Sequence, residues 1–334
     1  MRKVGFVGLS PEEEKYFRES LPNDEFELLF YPDTNDLDRQ LQVLSVFTQT
    51  KVDEELLQEL PLLKLIACRS TGYDNIDAAA VKKRQITVTN TPGYGSSSVA
   101  EYTFALILAL SRKLPEILHE THAAEPNRHA ERGFDLYGKT IGIIGLGNTG
   151  KGVAQIAYGM GMRILAYDIN RDEKLASWLK IEYTQDLDQL LTESDIVTLH
   201  IPYTPENHHF IDIEKLGRMK KSALIINAAR GDLIDTVALV KTLKNGDIAG
   251  AALDVVEDEY LLDPDDLIDL AANQDHAARQ TIRHALALLA LERIPNVIIT
   301  NHNAYNTVEA VERINAMTVT NIAGFYRGDK VFAV

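Results

Sequence analysis

"TIGIIGLGNTG" (residues 140–150) is an apolar run that stops in three glycines, Gly145, Gly147 and Gly150, spaced G-x-G-x-x-G. The run reads as a strand and the following "NTGKGVAQIAYGM" as a helix. In that order the first glycine permits a tight turn, the second lets backbone approach a pyrophosphate, and the third lets helix and strand pack closely. The helix N-terminus then faces the phosphate charge. Asp168 closes the next strand, "MRILAYD" (162–168), at about the 20-residue distance expected of an acid that hydrogen-bonds the ribose hydroxyls. An ordinary strand-turn-helix unit with a capping aspartate explains each feature singly, but not the set. Asp168 favours NAD over NADP, because its carboxylate repels a 2′-phosphate; Arg171 nearby works against that preference.

The residues before the glycine turn already alternate between strand-like and helix-like patterns. "KVGFVGL" (3–9) is a strand, and Ser10, Pro11 and Glu13 make a helix start with N-cap, N1 proline and capping box. Strand candidates follow at 26–31, 42–47, 63–68 and 86–90, with helical patterns at 53–60 and 77–84. Such alternation implies a parallel sheet covered on both faces. After "NTPGYGSSS" (90–98) comes "VAEYTFALILALSRK" (99–113), so apolar that it must be buried on most sides, as a helix running between two domains would be. A polar, histidine-bearing loop is expected at about 115–137. Beyond the glycine turn a second series follows: strands at 162–168, 195–201, 223–228, 248–255 and 296–300, helices at 186–194 and 235–246, and a long final helix at 307–328. Only this second series carries the glycine pattern. The fold class is therefore α/β, with two doubly wound parallel-sheet domains.

Composition limits what such a chain does. Its 334 residues suffice for two cores. Lys and Arg total 34 against 49 Asp and Glu, and the net charge of -15 disfavours nucleic acid and anionic membrane as partners. The single cysteine, Cys68, excludes an internal disulfide and fits a reducing compartment. "MRKVGFVGLSPEEEK" reaches acidic residues too soon for a signal peptide. The longest apolar runs, at 104–110 and 285–291, are far short of the roughly 20 residues of a membrane span. A cytoplasmic protein is expected.

A nicotinamide enzyme acting on a keto acid needs a fixed cation for the carboxylate and a proton donor for the carbonyl oxygen. Arg230, in "ALIINAARGD", stands at the carboxyl end of a strand, where ligands of open α/β sheets bind, and its planar fork matches a carboxylate. A surface arginine in a turn is the alternative. His302, in "VIITNHNAYNT", follows a strand and precedes a helix, and histidine exchanges protons near neutral pH. His200, in "VTLHIP", is its rival. Glu257 and Glu259 follow the strand "GAALDVV" (250–256), and either would orient the imidazole and hold it charged. His119, His122 and His129 match no strong ligand spacing, so no metal is expected.

The segments "STGYDNID" (70–77), "NTPGYGSSSVAEYT" (90–103), "GIIGLGNTG", "AYD" (166–168), "LHIPYTPENHHFI" (199–211), "IINAARGDLIDT" (225–236), "ALDVVEDE" (252–259) and "IPNVIITNHNAYNT" (294–307) occur in this order. Together they resemble the D-isomer-specific 2-hydroxyacid dehydrogenases, within them the D-lactate dehydrogenase branch, over nearly the whole chain. The resemblance implies a Rossmann NAD-binding domain (98–301) inserted into a flavodoxin-like substrate domain (1–97 and 302–334), which explains why the glycine turn comes late. It implies Arg230 as the substrate-binding cation, His302 as acid/base and Glu259 as its partner. Backbone at Thr71 and Gly72 would hold the carboxylate beside Tyr94, with Phe47 and Tyr305 shaping the side-chain pocket. Gly145, Gly147, Asn148, Thr149, Gly150, Asp168, Ala228 and Ala229 would bind NAD, with His200, Ile201 and Pro202 along the adenosine and Asp254 facing the nicotinamide. The activity implied is interconversion of a small 2-keto acid, pyruvate or a modestly larger analogue, with the D-2-hydroxy acid, in a homodimer. The short stretch after His302 leaves no room for a regulatory domain, which points away from phosphoglycerate. A non-enzymatic NAD-sensing regulator on the same fold is the alternative. Three departures stand out: Asn301 replaces the usual proline before the histidine, no proline follows the glutamates, and 260–293 is longer and more helical than the family leads one to expect.

Overall fold

Strands buried on both faces need helices on both sides of their sheet, and this is how the chain folds. The computed structural model describes residues 1–121, 132–257, 276–329 and 331–334. They form two units, Met1–Tyr94 with Asn306–Val334, and Gly95–Tyr305.

The first unit holds β1 (Arg2–Val7), β2 (Phe26–Tyr31), β3 (Val43–Val46), β4 (Leu65–Cys68) and β5 (Thr87–Thr89), in the order β2-β1-β3-β4-β5. The pairings are parallel and the order is flavodoxin-like. β3 and β4 are buried at every position. Leu44, Ile66 and Val88 pack against Leu57 and Val81 on one face, while Val43 and Leu65 meet Phe6, Phe17 and Ile322 on the other. The helix Pro11–Ser20 starts on the expected capping box: Ser10 Oγ accepts from the Glu13 amide at 3.3 Å, and Glu13 Oε2 accepts from the Ser10 amide at 3.0 Å. Ile322 belongs to the long helix Val308–Arg327, so the end of the chain returns to the sheet where it began. Asn321 secures that return, donating Nδ2 to Asn90 O at 2.8 Å and accepting from the Phe332 amide at 3.1 Å.

The second unit holds β6 (Thr140–Ile144), β7 (Arg163–Tyr167), β8 (Ile181–Thr184), β9 (Ile196–Leu199), β10 (Leu224–Asn227), β11 (Gly250–Leu253) and β12 (Val297–Ile299), in the order β12-β11-β10-β9-β6-β7-β8. All pairings are again parallel. The chain runs outward from β6 through β7 and β8, then crosses to β9 and proceeds the other way. The switch between β6 and β9 opens the crevice in which doubly wound sheets bind ligands. The apolar helix Ser96–Ser111 packs on β10, β11 and the helix Asn148–Gly159, with Phe104, Ile107 and Leu110 in the same core as Ile141 and Ile226.

The elements depart from the sequence reading in four places. The apolar helix begins at Ser96 rather than Val99, after an N-cap glycine that makes no side-chain cap. The expected polar loop opens with the helix Leu114–Thr121. The helix Ile213–Arg218, capped by Asp212, lies in a stretch given no element. β8 and the helix Glu173–Leu179 before it are additional. β8 is an edge strand whose Glu182 pairs with Arg163 at 2.5 Å, so it lacks the apolar signature of its neighbours. Among the described residues, no helix is long and apolar enough to cross a membrane.

Candidate active site

The glycine turn lies at the switch point. Gly145 has φ +95, and a Cβ there would stand 2.7 Å from His200 O. At Gly150 a Cβ would stand 2.0 Å from Gly145 O, so neither position admits a side chain. Gly147 is the opposite case: nothing lies within 4 Å of its Cβ position. That open space sits at the N-terminus of the helix Asn148–Gly159, whose N-cap Gly147 makes no side-chain cap, and it suits a pyrophosphate resting on helix amides. Asn148 and Thr149 form the first turn. Asp168 at the end of β7 accepts from the Leu146 amide at 2.5 Å and the Asn170 amide at 2.6 Å, which fixes its carboxylate beside the turn. A cleft of about 600 Å³ lined by Gly147, Lys151, Asp168, Arg171 and Asp172 opens here. Of its cations, Lys151 pairs with Asp172 at 2.8 Å, and Arg171 lies 5.4 Å from the Tyr183 ring centre.

His200, Ile201 and Pro202 follow β9 on the other side of the switch. His200 Nε2 lies 2.9 Å from Thr198 Oγ1. Part of the residue stays accessible, but the ring is surrounded by protein, and this desolvation pushes its pKa down to about 4. At neutral pH the imidazole is uncharged.

Arg230, Asp254 and His302 follow β10, β11 and β12, three neighbouring strands. Arg230 is half-buried, its carbonyl accepting from Asn227 Nδ2 at 2.8 Å and its Nη1 donating to Ala229 O at 2.7 Å. Ala229 is held in turn by Asn227 Oδ1, at 3.1 Å from its amide, and Ala228 links the two. A Cβ on Gly231 would stand 2.1 Å from the Val256 carbonyl carbon, so glycine lets the arginine turn lie against the segment after β11. Asp254 is 1% exposed and spends its carboxylate on the His302 loop: Oδ1 accepts from Thr300 Oγ1 at 2.6 Å and the Asn303 amide at 2.9 Å, and Oδ2 from the Ala304 amide at 2.9 Å. His302 has φ +48, a left-handed conformation that a non-glycine residue keeps only when its surroundings enforce it. Its amide donates to Asp254 O at 2.8 Å. Its ring meets Tyr305 edge-on, 6.5 Å between centroids.

Of the two glutamates, Glu259 lies outside the described residues, as do His122 and His129. Glu257 is 3% exposed and both its oxygens are engaged: Oε1 with His209 Nε2 at 2.5 Å, and Oε2 with the Thr236 amide at 3.0 Å. That amide opens the helix Thr236–Lys244, where the helix dipole favours a carboxylate.

In the first unit, Phe47, the pair Thr71 and Gly72, and Tyr94 follow the carboxyl ends of the adjacent strands β3, β4 and β5. Asn90 Nδ2 donates to Thr71 O at 2.8 Å, Thr71 Oγ1 to Thr91 O at 3.0 Å, and Ser70 Oγ to Gly72 O at 2.6 Å. Tyr94 O accepts from Arg313 Nε at 2.7 Å. Beneath this loop lies Arg69, 3% exposed, which donates Nη2 to Val7 O at 2.7 Å and Nη1 to Ser45 O at 3.2 Å, joining the ends of β1, β3 and β4. Arg69 and Thr300 were not singled out by sequence reasoning. Neither sits in a local pattern that marks it.

Residues 104–304 match the family described as D-isomer specific 2-hydroxyacid dehydrogenase, NAD binding domain. The chain belongs to this family. It is 39% identical over 284 residues to a glyoxylate reductase of Korarchaeum cryptofilum, covering 83% of this chain and 77% of that protein. Its fold is similar to the crystal structure of D-lactate dehydrogenase from Aquifex aeolicus complexed with NAD and lactic acid, with TM-score 0.84 and 37% identity over 98% of this chain and 96% of that one. The pyruvate reductase of Chlamydomonas reinhardtii is similar too, with TM-score 0.83 and 30% identity over 99% and 98% of the two chains. The cofactor of this 2-hydroxyacid dehydrogenase is NAD, and the open Gly147 cradle with Asp168 beside it fits that molecule.

Proposed function

We propose that the protein reduces a small 2-keto acid, pyruvate or a modestly larger analogue, to the D-2-hydroxy acid with NADH. The observation that carries this reading is the row of Arg230, Asp254 and His302 on three adjacent strand ends, with His302 held in its left-handed conformation by Asp254. When bound, NADH supplies a hydride to the carbonyl carbon. Arg230 grips the carboxylate and carbonyl through its planar fork. His302 donates the proton to the carbonyl oxygen, and Glu259 favours its charged form. Backbone at Thr71 and Gly72, beside Tyr94, receives the carboxylate, and Phe47 and Tyr305 bound the side chain.

Under this proposal residues 1–97 and 302–334 serve the substrate and 98–301 the cofactor, with His200, Ile201 and Pro202 along the adenosine and Ala228 and Ala229 among the cofactor-binding residues. A homodimer is proposed as well, supported by exposed apolar side chains in the second unit: Leu114, Leu118, Tyr137 and Tyr158. The acidic charge and the single buried cysteine support a cytoplasmic location.

The test is loss of NADH absorbance with a panel of glyoxylate, pyruvate, 2-ketobutyrate and phenylpyruvate, followed by chiral analysis of the product. Pyruvate or 2-ketobutyrate should give the highest kcat/KM, and the D-isomer. Glyoxylate as the preferred substrate would correct the side-chain assignment. Absence of turnover across the panel, with NADH still bound, would favour the NAD-sensing role. Arg230→Lys should lower kcat/KM for the preferred acid by several kcal/mol of transition-state stabilisation, on the order of a broken bidentate contact, with NADH binding little changed.

A further inference from the structure

His208 and His209 have no part in the proposed reaction, yet they converge on a buried carboxylate. They follow the short turn Pro205–Asn207, and their rings stack with centroids 3.9 Å apart. His209 adopts φ +53, its amide tied to Asp232 O at 2.8 Å. Its Nε2 lies 2.5 Å from Glu257 Oε1, while Glu257 Oε2 is fixed by the Thr236 amide. A third imidazole reaches the same oxygen from the helix His276–Leu291: His284, 8% exposed, has Nε2 at 4.0 Å from Glu257 Oε1. One ligand atom each from His208, His209 and Glu257 lies within 4.8 Å of the others. All four residues belong to the second unit.

Three imidazoles around one carboxylate are the donors that zinc and its first-row neighbours take, whereas calcium and magnesium want oxygen alone. Zinc binds nitrogen and carboxylate oxygen at about 2.0–2.2 Å, so tetrahedral ligand atoms stand roughly 3.3 Å apart. The spacings here lie on either side of that value. Metal binding would require the exposed His208 ring to rotate and the His209–Glu257 contact to open slightly, the metal taking the place of the proton those two share.

We propose that His208, His209 and Glu257, with His284 next to Glu257 as a neighbour that can complete the set, bind one divalent first-row transition metal of the zinc type. The site is structural rather than catalytic. It joins the loop after Pro202, the segment just after β11 and the helix His276–Leu291, so its loading should register in stability.

The experiment titrates Co²⁺ into chelator-treated full-length protein at neutral pH and follows visible absorption. One Co²⁺ per chain is expected, displaced by Zn²⁺, which binds more tightly in the usual order of affinities. His208 is exposed, so His208→Ala should fold normally; it should weaken Co²⁺ binding at least about 10-fold and abolish the rise in Tm that Zn²⁺ gives the unmodified protein. Metal-free His208→Ala should turn over NADH as the metal-free parent does, which separates this site from the reaction. His284→Gln should likewise weaken Co²⁺ binding. Absence of saturable Co²⁺ binding, or Co²⁺ affinity unchanged in His208→Ala, overturns the proposal, since any metal taken up would then be held by other histidines.

Discussion

Asp254 holds His302 from below: its carbonyl accepts the His302 amide, and its carboxylate accepts Thr300 Oγ1 and the amides of Asn303 and Ala304 on either side. One buried side chain thus sets the backbone of the histidine loop from the end of the neighbouring strand. Both its oxygens are engaged by protein, which fixes the carboxylate at the strand end.

Asp254→Asn should show how much that tether is worth. The substitution keeps the shape but turns one oxygen into a donor facing a donor, with a buried hydrogen-bonding group left unsatisfied at a cost of about 1–3 kcal/mol. A lower Tm is expected, together with at least a 10-fold loss in kcat, because His302 then leaves its left-handed conformation more readily. NADH affinity, measured by fluorescence titration, should change less than kcat. A variant as active as the parent would mean that Thr300 and the loop amides need no anion.

Cofactor choice should follow Asp168. Its carboxylate is fixed by the Leu146 and Asn170 amides beside the open Gly147 position, so a 2′-phosphate meets a negative charge that cannot turn away. NADH should therefore be preferred, and Asp168→Ala should narrow the gap in kcat/KM, since a 2′-phosphate then meets Arg171 on the same cleft without the Asp168 charge beside it. Equal use of NADH and NADPH by the unmodified protein would sink this assignment.

The parallel sheets and the glycine turn were legible because strands buried on both faces read as unbroken apolar runs such as "TIGII" and "LIIN". The positions of Arg230 and His302 beyond strand ends were legible because each closely follows such a run. What escaped was of two kinds. β8 lies at a sheet edge, where only part of the strand is buried and Glu182 is satisfied by Arg163, so its sequence resembles a surface segment. Asp254–Thr300 and Arg69–Val7 are pairs separated by many residues in the chain, and no periodicity carries such a contact. Between Glu257 and Glu259 the spacing left the choice open; the engagement of Glu257 with His209 and Thr236 is a tertiary fact.

His200 should give the protein an acid-sensitive stability term. Burial holds its folded-state pKa at about 4, below the 6.5 of a free imidazole, so as pH falls the unfolded chain takes up the proton first. Stability that is fully present above pH 6.5 is then lost progressively down to about 4, where the folded residue also protonates. Allowing for its partial exposure, the loss is on the order of 1–3 kcal/mol. Denaturant unfolding at pH 7 and at pH 4.5 should differ less in His200→Gln than in the parent. An equal difference in both proteins would place the acid sensitivity in other groups.

The pair proposed for proton transfer can be separated from its neighbour by pH profiles. For keto-acid reduction His302 must arrive protonated, so kcat/KM falls as rising pH removes that proton. An adjacent carboxylate favours the imidazolium. Glu259→Gln keeps much of the shape and removes the charge, so the falling limb should move to lower pH while activity at acid pH partly survives. His302→Ala should lose activity at every pH. Glu257→Gln should behave differently from both. Its carboxylate serves His209 and the Thr236 amide at the start of the helix Thr236–Lys244, so the expected effect is a lower Tm with the limb left in place. Should Glu257→Gln shift the limb while Glu259→Gln leaves it unmoved, the assignment is off by two residues, and the buried contacts of Glu257 must rearrange when substrate binds.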